Sequence, residues 1–571
     1  MAEVGTYASK AVNQYRGRDM FAYLALRYCF ENSSARIDKW AEENAIHVVM
    51  GTKSGRYLRS YQFKGLKPDG TWEHRELMIP GPAEATAEAV LLAECSKHWN
   101  AWGSGRVFSY VPTAKSDRKS YYVNYIEGLR ARQRTIALAC RDTPDGHVLY
   151  VDIKKFYPSI SPVIAEEAWH QFCADSDVGE DFRSLGEKLI SNHALATGGK
   201  SILTGPMFSH FLANLVLTPV DHWSENLPAK YVRYVDDITL IGQREDILSS
   251  VAMLEEKLAS LGFDLHPSSD KKTVWVSASE WLESADDFQD SSNTFGWMKL
   301  VGNVKRLLIF DPKTLNDLAD AFLSAEIRLP LPDYAVAVKE ASAFEKIRQK
   351  SLWWWLRIRS KNLTPDSIVR DALKLRDRLF KETCEILSRN NGAEGFERKR
   401  VVSKLRYRLG RLLFIAKRSQ IQTLLAAVEG WEELTFHAAL MRVVLSNDCS
   451  EVIAMGSNVA QSAAQLLKAS LETAQFSKPV EGEAASQGLA TFVINGVSVS
   501  GSVRSTDHPL LKFSAGPVDH DLMSVPRGLV QDLSCLHGLG PSRNAEIVKL
   551  AFELGQEIIL DALADDYGYS T

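Results

Sequence analysis

The sequence contains no pair of cysteines at C-x-x-C spacing; its seven cysteines are scattered between Cys29 and Cys535. That excludes a disulfide framework and a zinc ribbon, and it fits a reducing compartment. No stretch approaches the roughly 20 consecutive apolar residues that span a bilayer. The start, Met1-Ala2-Glu3-Val4-Gly5-Thr6, lacks the basic-then-apolar pattern of a signal peptide. The expectation is a cytoplasmic protein with no membrane partner. Positive charge is not in excess either. The net charge is −4, so any nucleic-acid surface must be a local patch. No repeat with a clear period is present, although the stacked helices described below would suit a solenoid-like array.

What is present is the composition of an ordinary globular protein, in 571 residues, a length that suits three or four domains. The most informative stretch is Tyr231-Val232-Arg233-Tyr234-Val235-Asp236-Asp237-Ile238-Thr239-Leu240-Ile241-Gly242. Two runs rich in β-branched and aromatic residues flank two adjacent carboxylates. The pattern predicts two strands joined at a tip that carries Asp236 and Asp237. Alone, such a tip is more often an ordinary turn than a metal site.

A second acid gives it a partner. The apolar run Val148-Leu149-Tyr150-Val151 leads into Asp152. If that strand neighbours the hairpin in one sheet, three carboxylates converge on one edge. They stay ionised together only when cations neutralise them. Hard oxygen ligands select Mg²⁺, or Mn²⁺, and Mg²⁺ completes its shell with water and substrate phosphates. A pair of such ions suits in-line phosphoryl transfer.

Around these acids the chain reads as an α+β domain, a small antiparallel sheet backed by helices. A hairpin is expected over 56–80, turning at Lys67-Pro68-Asp69-Gly70 and carrying Lys64, Lys67 and Arg75. Helices are expected near 83–100, 163–195, 207–216 and 247–261, the last closed by Gly262, and a strand over 271–276. The stretch 118–141 interleaves tyrosines with arginines, which suits a nucleic-acid groove and a snorkelling surface helix equally.

Beyond residue 312 the patterning becomes almost wholly helical: 314–327, 333–360 with Trp353-Trp354-Trp355, 365–389, 397–418 and 420–446. Segment 397–418 holds nine cations against one acid. Lys404, Arg408 and Arg411 share one helical face there, so this helix is the candidate phosphate-tracking element. Residues 476–508 read as a linker or small hairpin with a β-like run from Thr491 to Val497, and 519–571 as helix.

Five stretches now match a family in order. Asp152-Ile153 through Tyr157 resembles motif A of the reverse transcriptases, Leu203-Thr204-Gly205-Pro206-Met207-Phe208-Ser209 through Asn214 resembles motif B, and Tyr234-Val235-Asp236-Asp237 is motif C in its reverse-transcriptase spelling. Leu265-His266-Pro267 with Lys272-Thr273 resembles motif D, and Phe295-Gly296-Trp297 motif E. The resemblance covers roughly residues 55–300, somewhat under half of the chain. It implies a right-hand fingers and palm with an antiparallel palm sheet, followed by a mostly helical thumb and a C-terminal helical domain. The expected borders are 1–145 for N-terminal helices and fingers, 146–310 for the palm, 311–420 for the thumb and 421–571 for the C-terminal domain.

The resemblance also implies roles. Asp152 and Asp236 bind two Mg²⁺ ions, supported by Asp237 and the Ile153 carbonyl. Tyr157 stands where the family excludes a ribose 2′-hydroxyl, which favours dNTPs. Gly205 lets backbone approach the incoming base pair, Lys64 and Arg75 clamp the triphosphate, and Lys272 protonates the leaving pyrophosphate. Motif B departs from the family's Leu-Pro-Gln-Gly: Thr204 stands before Gly205 and Pro206 after it. That puts ordinary copying of long RNA in question, not the polymerase chemistry. The C-terminal half carries no His-Asn-His pattern, no Cys/His zinc spacing and no ribonuclease H acidic set.

A compact palm followed by a long helical half is similar to the bacterial antiphage reverse transcriptases, the abortive-infection and unknown-group enzymes. In that group some members make DNA without a conventional template, some prime on a protein hydroxyl, and some use a companion noncoding RNA. Expected partners are therefore dNTPs and RNA or DNA. Tyr567, Tyr569 and Ser570 at the chain end are the candidate priming hydroxyls. Self-association is left open. Two other readings remain: a retron-like or group II intron-like enzyme copying a cognate RNA, and an idle palm used as an RNA-binding scaffold.

Overall fold

The computed structural model describes residues 15, 46–55, 57–113, 120–267, 272–287, 291–329, 331, 363–390, 392–478, 482–495 and 497–501. The three adjacent tryptophans 353–355, the terminal hydroxyls Tyr567, Tyr569 and Ser570, and the helix expected over 519–571 lie outside the described residues. The described residues form two compact units. One holds the chain up to Arg59 and Glu76–Gln289; the other holds Ser60–Arg75 and the chain from Asp290.

The fold is mixed α+β. Strands β1 (Tyr57–Leu66) and β2 (Trp72–Pro80) make the expected hairpin. Its turn is closed by Gly70 N–H donating to the Lys67 carbonyl at 3.0 Å, with Gly70 at φ +81°. Helices α1 (Pro82–Cys95) and α2 (Tyr125–Asp142) follow, then β3 (His147–Asp152). Next come α3 (Pro162–Asp175) and α4 (Glu180–Thr197). Ser161 caps α3 by accepting from the Ile164 N–H, and Gly198 ends α4 at φ +63°. Helix α5 (Met207–Trp223) is buried along almost its whole length, as its near-continuous apolar sequence requires.

The central sheet of the first unit is completed by β4 (Lys230–Tyr234), β5 (Asp237–Gly242) and β6 (Val274–Ser277). The strand order is β4-β5-β3-β6, every pair antiparallel. Ile238, Leu240 and Ile241 of β5, and Val148, Leu149 and Val151 of β3, are all buried, so the two central strands are fixed by the core around them. Between β5 and β6 runs α6 (Arg244–Ala259), and after β6 comes α7 (Ala278–Asp287).

The second unit is built mainly of helices: α8 (Ser291–Phe310), α9 (Leu315–Ser324), α10 (Pro365–Arg389), α11 (Gly395–Ile415), α12 (Arg418–Ala427), α13 (Thr435–Ser446), α14 (Ser457–Ser470) and α15 (Glu483–Ile494). Their apolar faces form one core that runs from Leu300 to Val499. The tip of the β1–β2 hairpin packs within this unit. Phe63 lies against Phe436, and Gly456, at φ +131°, admits the Tyr61 carbonyl where a Cβ would stand 2.7 Å from it.

Three expectations change. The β-like run from Thr491 is helix up to Ile494, inside α15; Leu489 and Phe492 fall on one helical face and are buried. Tertiary packing there overrides the strand preference of Val493 and Ile494. The segment 476–508 accordingly contains a helix between two short strands, Ala474–Phe476 and Val499–Gly501, which pair in parallel. The stretch 420–446 is not one helix but two, α12 and α13, separated by a turn at Gly430 with φ +87°. Phe295-Gly296-Trp297 lies within helix α8.

Candidate active site

The register of the central sheet places the acids. Asp152, the last residue of β3, pairs with Asp237, the first residue of β5. Tyr234 pairs with the same Asp237 from the other side, so Val235 and Asp236 alone make the connection between β4 and β5. The Ile153 N–H donates to the Asp236 carbonyl at 3.2 Å. The three acids therefore sit at one end of two adjacent strands. Asp152 is buried, Asp236 is half-buried and Asp237 is exposed.

Their electrostatics follow from this convergence. The Asp236 carboxyl is pushed up to about 6, first by burial and then by the neighbouring charges of Asp152 and Asp237; Lys272 works against that rise. Lys272 donates from Nζ to Oδ2 of Asp152. His266 Nε2 lies 3.6 Å from the same oxygen, and its backbone N–H donates to the Asp152 carbonyl at 2.9 Å. The Lys154 N–H donates to the Asp264 carbonyl at 2.8 Å, so the segment bearing His266 runs beside the end of β3.

This donor set suits a hard divalent cation. It is oxygen-rich, anionic and under mutual repulsion that a cation relieves. Among the described residues, no three His, Cys, Asp or Glu side chains form a ready cage. A cation held here would need oxygens from water or a ligand beside the carboxylates, a mixed shell that Mg²⁺ commonly takes.

The other expected site residues fall as follows. Tyr157 is on the short helix Phe156–Ser159 just after β3. Its hydroxyl shares a hydrogen bond of 2.5 Å with Nδ1 of His210, and the His210 ring stacks on Tyr110 at 3.9 Å. Ile153 is buried in the core. Gly205 has φ +125°, and a Cβ on it would stand 2.7 Å from the Met78 carbonyl oxygen. The Met78 N–H in turn donates to the Thr204 carbonyl at 2.7 Å. Close approach of two backbone segments thus accounts for Gly205 before any substrate is considered.

Lys64 and Arg75 belong to the second unit, while the three acids belong to the first. Lys64 is ion-paired with Glu73 across the hairpin at 2.5 Å. On α11, Lys404 is half-buried, but Arg408 is only 8% exposed and holds Glu382 at 3.1 Å. Arg411 lies over the Tyr407 ring at 3.7 Å and donates to the Tyr407 carbonyl. The shared face of Lys404, Arg408 and Arg411 is therefore not a row of solvent-facing cations. Leu405, Leu409 and Leu412 draw the helix into the core, and Arg408 goes with them.

Sequence reasoning assigned no role to His210, His266 or Arg233. Arg233 carried a signal: it is a cation in the middle of an apolar strand, and a buried cation requires a buried partner. That partner is Asp221 on α5, held through Nε at 2.7 Å and Nη2 at 2.6 Å. No protein-family model matches the chain, and no curated protein matches it significantly. No described helix is long and apolar enough to cross a membrane.

Proposed function

We propose that the chain is a DNA polymerase of the reverse-transcriptase type, with its reaction centre at the β3–β5 strand ends. The observation that carries this reading is the register pair Asp152–Asp237, with Asp236 in the adjoining turn and its carboxyl raised by burial and then by both neighbours. Such a cluster has little structural use. Three mutually repelling acids at a rigid strand end suit a site that gathers divalent cations and a triphosphate.

Bound Mg²⁺ ions would neutralise the carboxylates and the triphosphate and stabilise the charge that develops at phosphorus. Asp152 and Asp236 would hold them, with Asp237 in support. Lys272, already beside Asp152, would give a proton to the pyrophosphate as its bridging oxygen parts from the α-phosphorus, while the primer's 3′-hydroxyl loses its proton to water and its oxygen bonds to that phosphorus. Tyr157, fixed by His210, would stand against the sugar and favour dNTPs. The departures at Thr204 and Pro206 and the helical second unit support placing the enzyme among the antiphage reverse transcriptases, copying a companion RNA or extending DNA without a conventional template.

The test is Mg²⁺-dependent incorporation of labelled dNTPs by the purified protein, with the copurifying nucleic acid sequenced alongside. Incorporation that survives Asp236→Asn together with Asp237→Asn sinks the reading. rNTPs used as well as dNTPs, with Tyr157→Ala making no difference, would refute the sugar assignment.

A further inference from the structure

The turn that carries Asp236 is built against the usual preference of such turns. Only Val235 and Asp236 join β4 to β5, and Val235 has φ +59°. Two-residue hairpin loops of this kind favour Gly, Asn or Asp where φ is positive, and a β-branched residue there is a steric outlier. Something must hold it, and both of its backbone polar groups are tied. The Val235 N–H donates to Oγ of Ser109 at 2.6 Å, and the Val235 carbonyl accepts from Nη1 of Arg233 at 2.8 Å.

Neither tie can drift. Arg233 is 1% exposed. Its Nε and Nη2 grip both oxygens of Asp221, which also accepts from the Tyr231 hydroxyl at 2.9 Å, and its Nη1 reaches Oδ1 of Asn214 at 3.1 Å. Asn214 donates in turn to the carbonyls of Ser109 and Tyr110, each at 3.0 Å. The segment bearing Ser109 is itself docked on β4: Arg233 N–H donates to the Arg106 carbonyl, and Phe108 N–H to the Arg233 carbonyl. Helix α5, strand β4 and the 106–110 segment thus close one buried network on a single residue, Val235, through the peptide units on either side of it.

We infer that Arg233 and Ser109 are positioning residues: they clamp the strained Val235 turn and thereby fix the Asp236 carboxylate against Asp152. This rests on the reading of Asp236 as a metal-binding acid. Strain of this type persists only where surrounding structure over-determines it, and it is found preferentially at functional sites.

The experiment measures Mn²⁺ binding to the full-length protein by electron paramagnetic resonance. Asp236→Asn marks the share of Mn²⁺ that belongs to the carboxylates. Ser109→Ala removes one tie and is expected to weaken that share about tenfold, the lower end of the loss when a group supporting a metal ligand is removed. Adding Val235→Gly to Ser109→Ala is expected to restore most of the affinity, because glycine keeps a positive φ without the clamp. A hydroxyl that served only the fold would show no such rescue. Arg233→Lys, which keeps the charge and loses the fork, is expected to behave as Ser109→Ala does; thermal melting identifies which variants fold, and the Ser109 pair decides if Arg233→Lys does not. Unchanged Mn²⁺ affinity in folded Ser109→Ala, or a double variant no better than the single one, overturns the inference. Asp236-dependent Mn²⁺ binding without any dNTP incorporation overturns the polymerase reading alone, since the Ser109 series is read without turnover. A wild-type protein that binds no Mn²⁺ overturns both.

Discussion

Lys272 donates its hydrogen bond to Oδ2 of Asp152, the carboxylate at the end of β3. The ammonium and a divalent cation bound at Asp152 would compete for this carboxylate. Lys272→Met is expected to act in two opposite directions. Mg²⁺ or Mn²⁺ affinity of the protein without nucleotide rises, because the competitor is gone. Turnover falls by about 100-fold, the usual worth of a positioned acid. Titration calorimetry and steady-state incorporation separate the two; affinity and turnover falling together would refute the competition.

Two buried groups give stability a predictable pH dependence. Burial lowers the His193 imidazole to about 3 and raises the Glu88 carboxyl to about 8. The unfolded chain protonates His193 near pH 6.5, whereas the fold resists until far lower pH, so His193 costs stability as pH falls below about 6.5. The fold keeps a proton on Glu88 that the unfolded chain releases near pH 4.5, so Glu88 costs stability as pH rises from about 4.5 to about 8. Between those limits the contributions oppose each other; above about pH 6.5 only Glu88 acts. From pH 6.5 to 8 it is expected to cost about 2 kcal/mol. In thermal melts, Glu88→Gln flattens the alkaline fall, and His193→Phe flattens the acidic one.

Gly205→Ala puts a Cβ 2.7 Å from the Met78 carbonyl and asks alanine to hold φ +125°. The expected loss is about 1–3 kcal/mol of stability, read in denaturant melts. If Gly205 served a substrate alone, the variant would melt as the wild type does.

Arg408→Met removes the ion pair between Arg408 and Glu382 beside the α10–α11 core. Glu382 is about a third exposed, so the expected loss is about 1–3 kcal/mol, below that of a fully buried pair. A nucleic-acid titration across salt concentrations completes the check. A phosphate contact at Arg408 would lower the salt slope by about one on mutation; an unchanged slope with a lowered melting temperature is expected.

The local elements could be read from residue types. Asp236-Asp237 between two β-branched runs gives a hairpin in isolation, and the turn at Asp69-Gly70 gives another. Each depends on neighbours a few residues away, whose preferences add along the chain. Thr491 to Ile494 shows the limit. Its β-branched residues suit a strand, but Leu489 and Phe492 find a core on one helical face, and burial outweighs propensity.

Residue order alone set the chemistry that could occur: which carboxylates exist, which strand ends they occupy, and that Tyr157 follows Asp152 and Lys272 follows all three acids. Which group holds which is set by the packing of distant elements. Asp152 meets Asp237 because β5 lies between β4 and β3, an order that no single strand encodes. Arg233 reaches the Val235 carbonyl, Asp221 and Asn214 together only once α5 packs against β4, and Arg408 turns from a candidate phosphate contact into a core ion pair only once α11 is buried. A charge has no fixed role in a chain; its role is set by the partner that folding brings within hydrogen-bonding distance and by the water that folding removes.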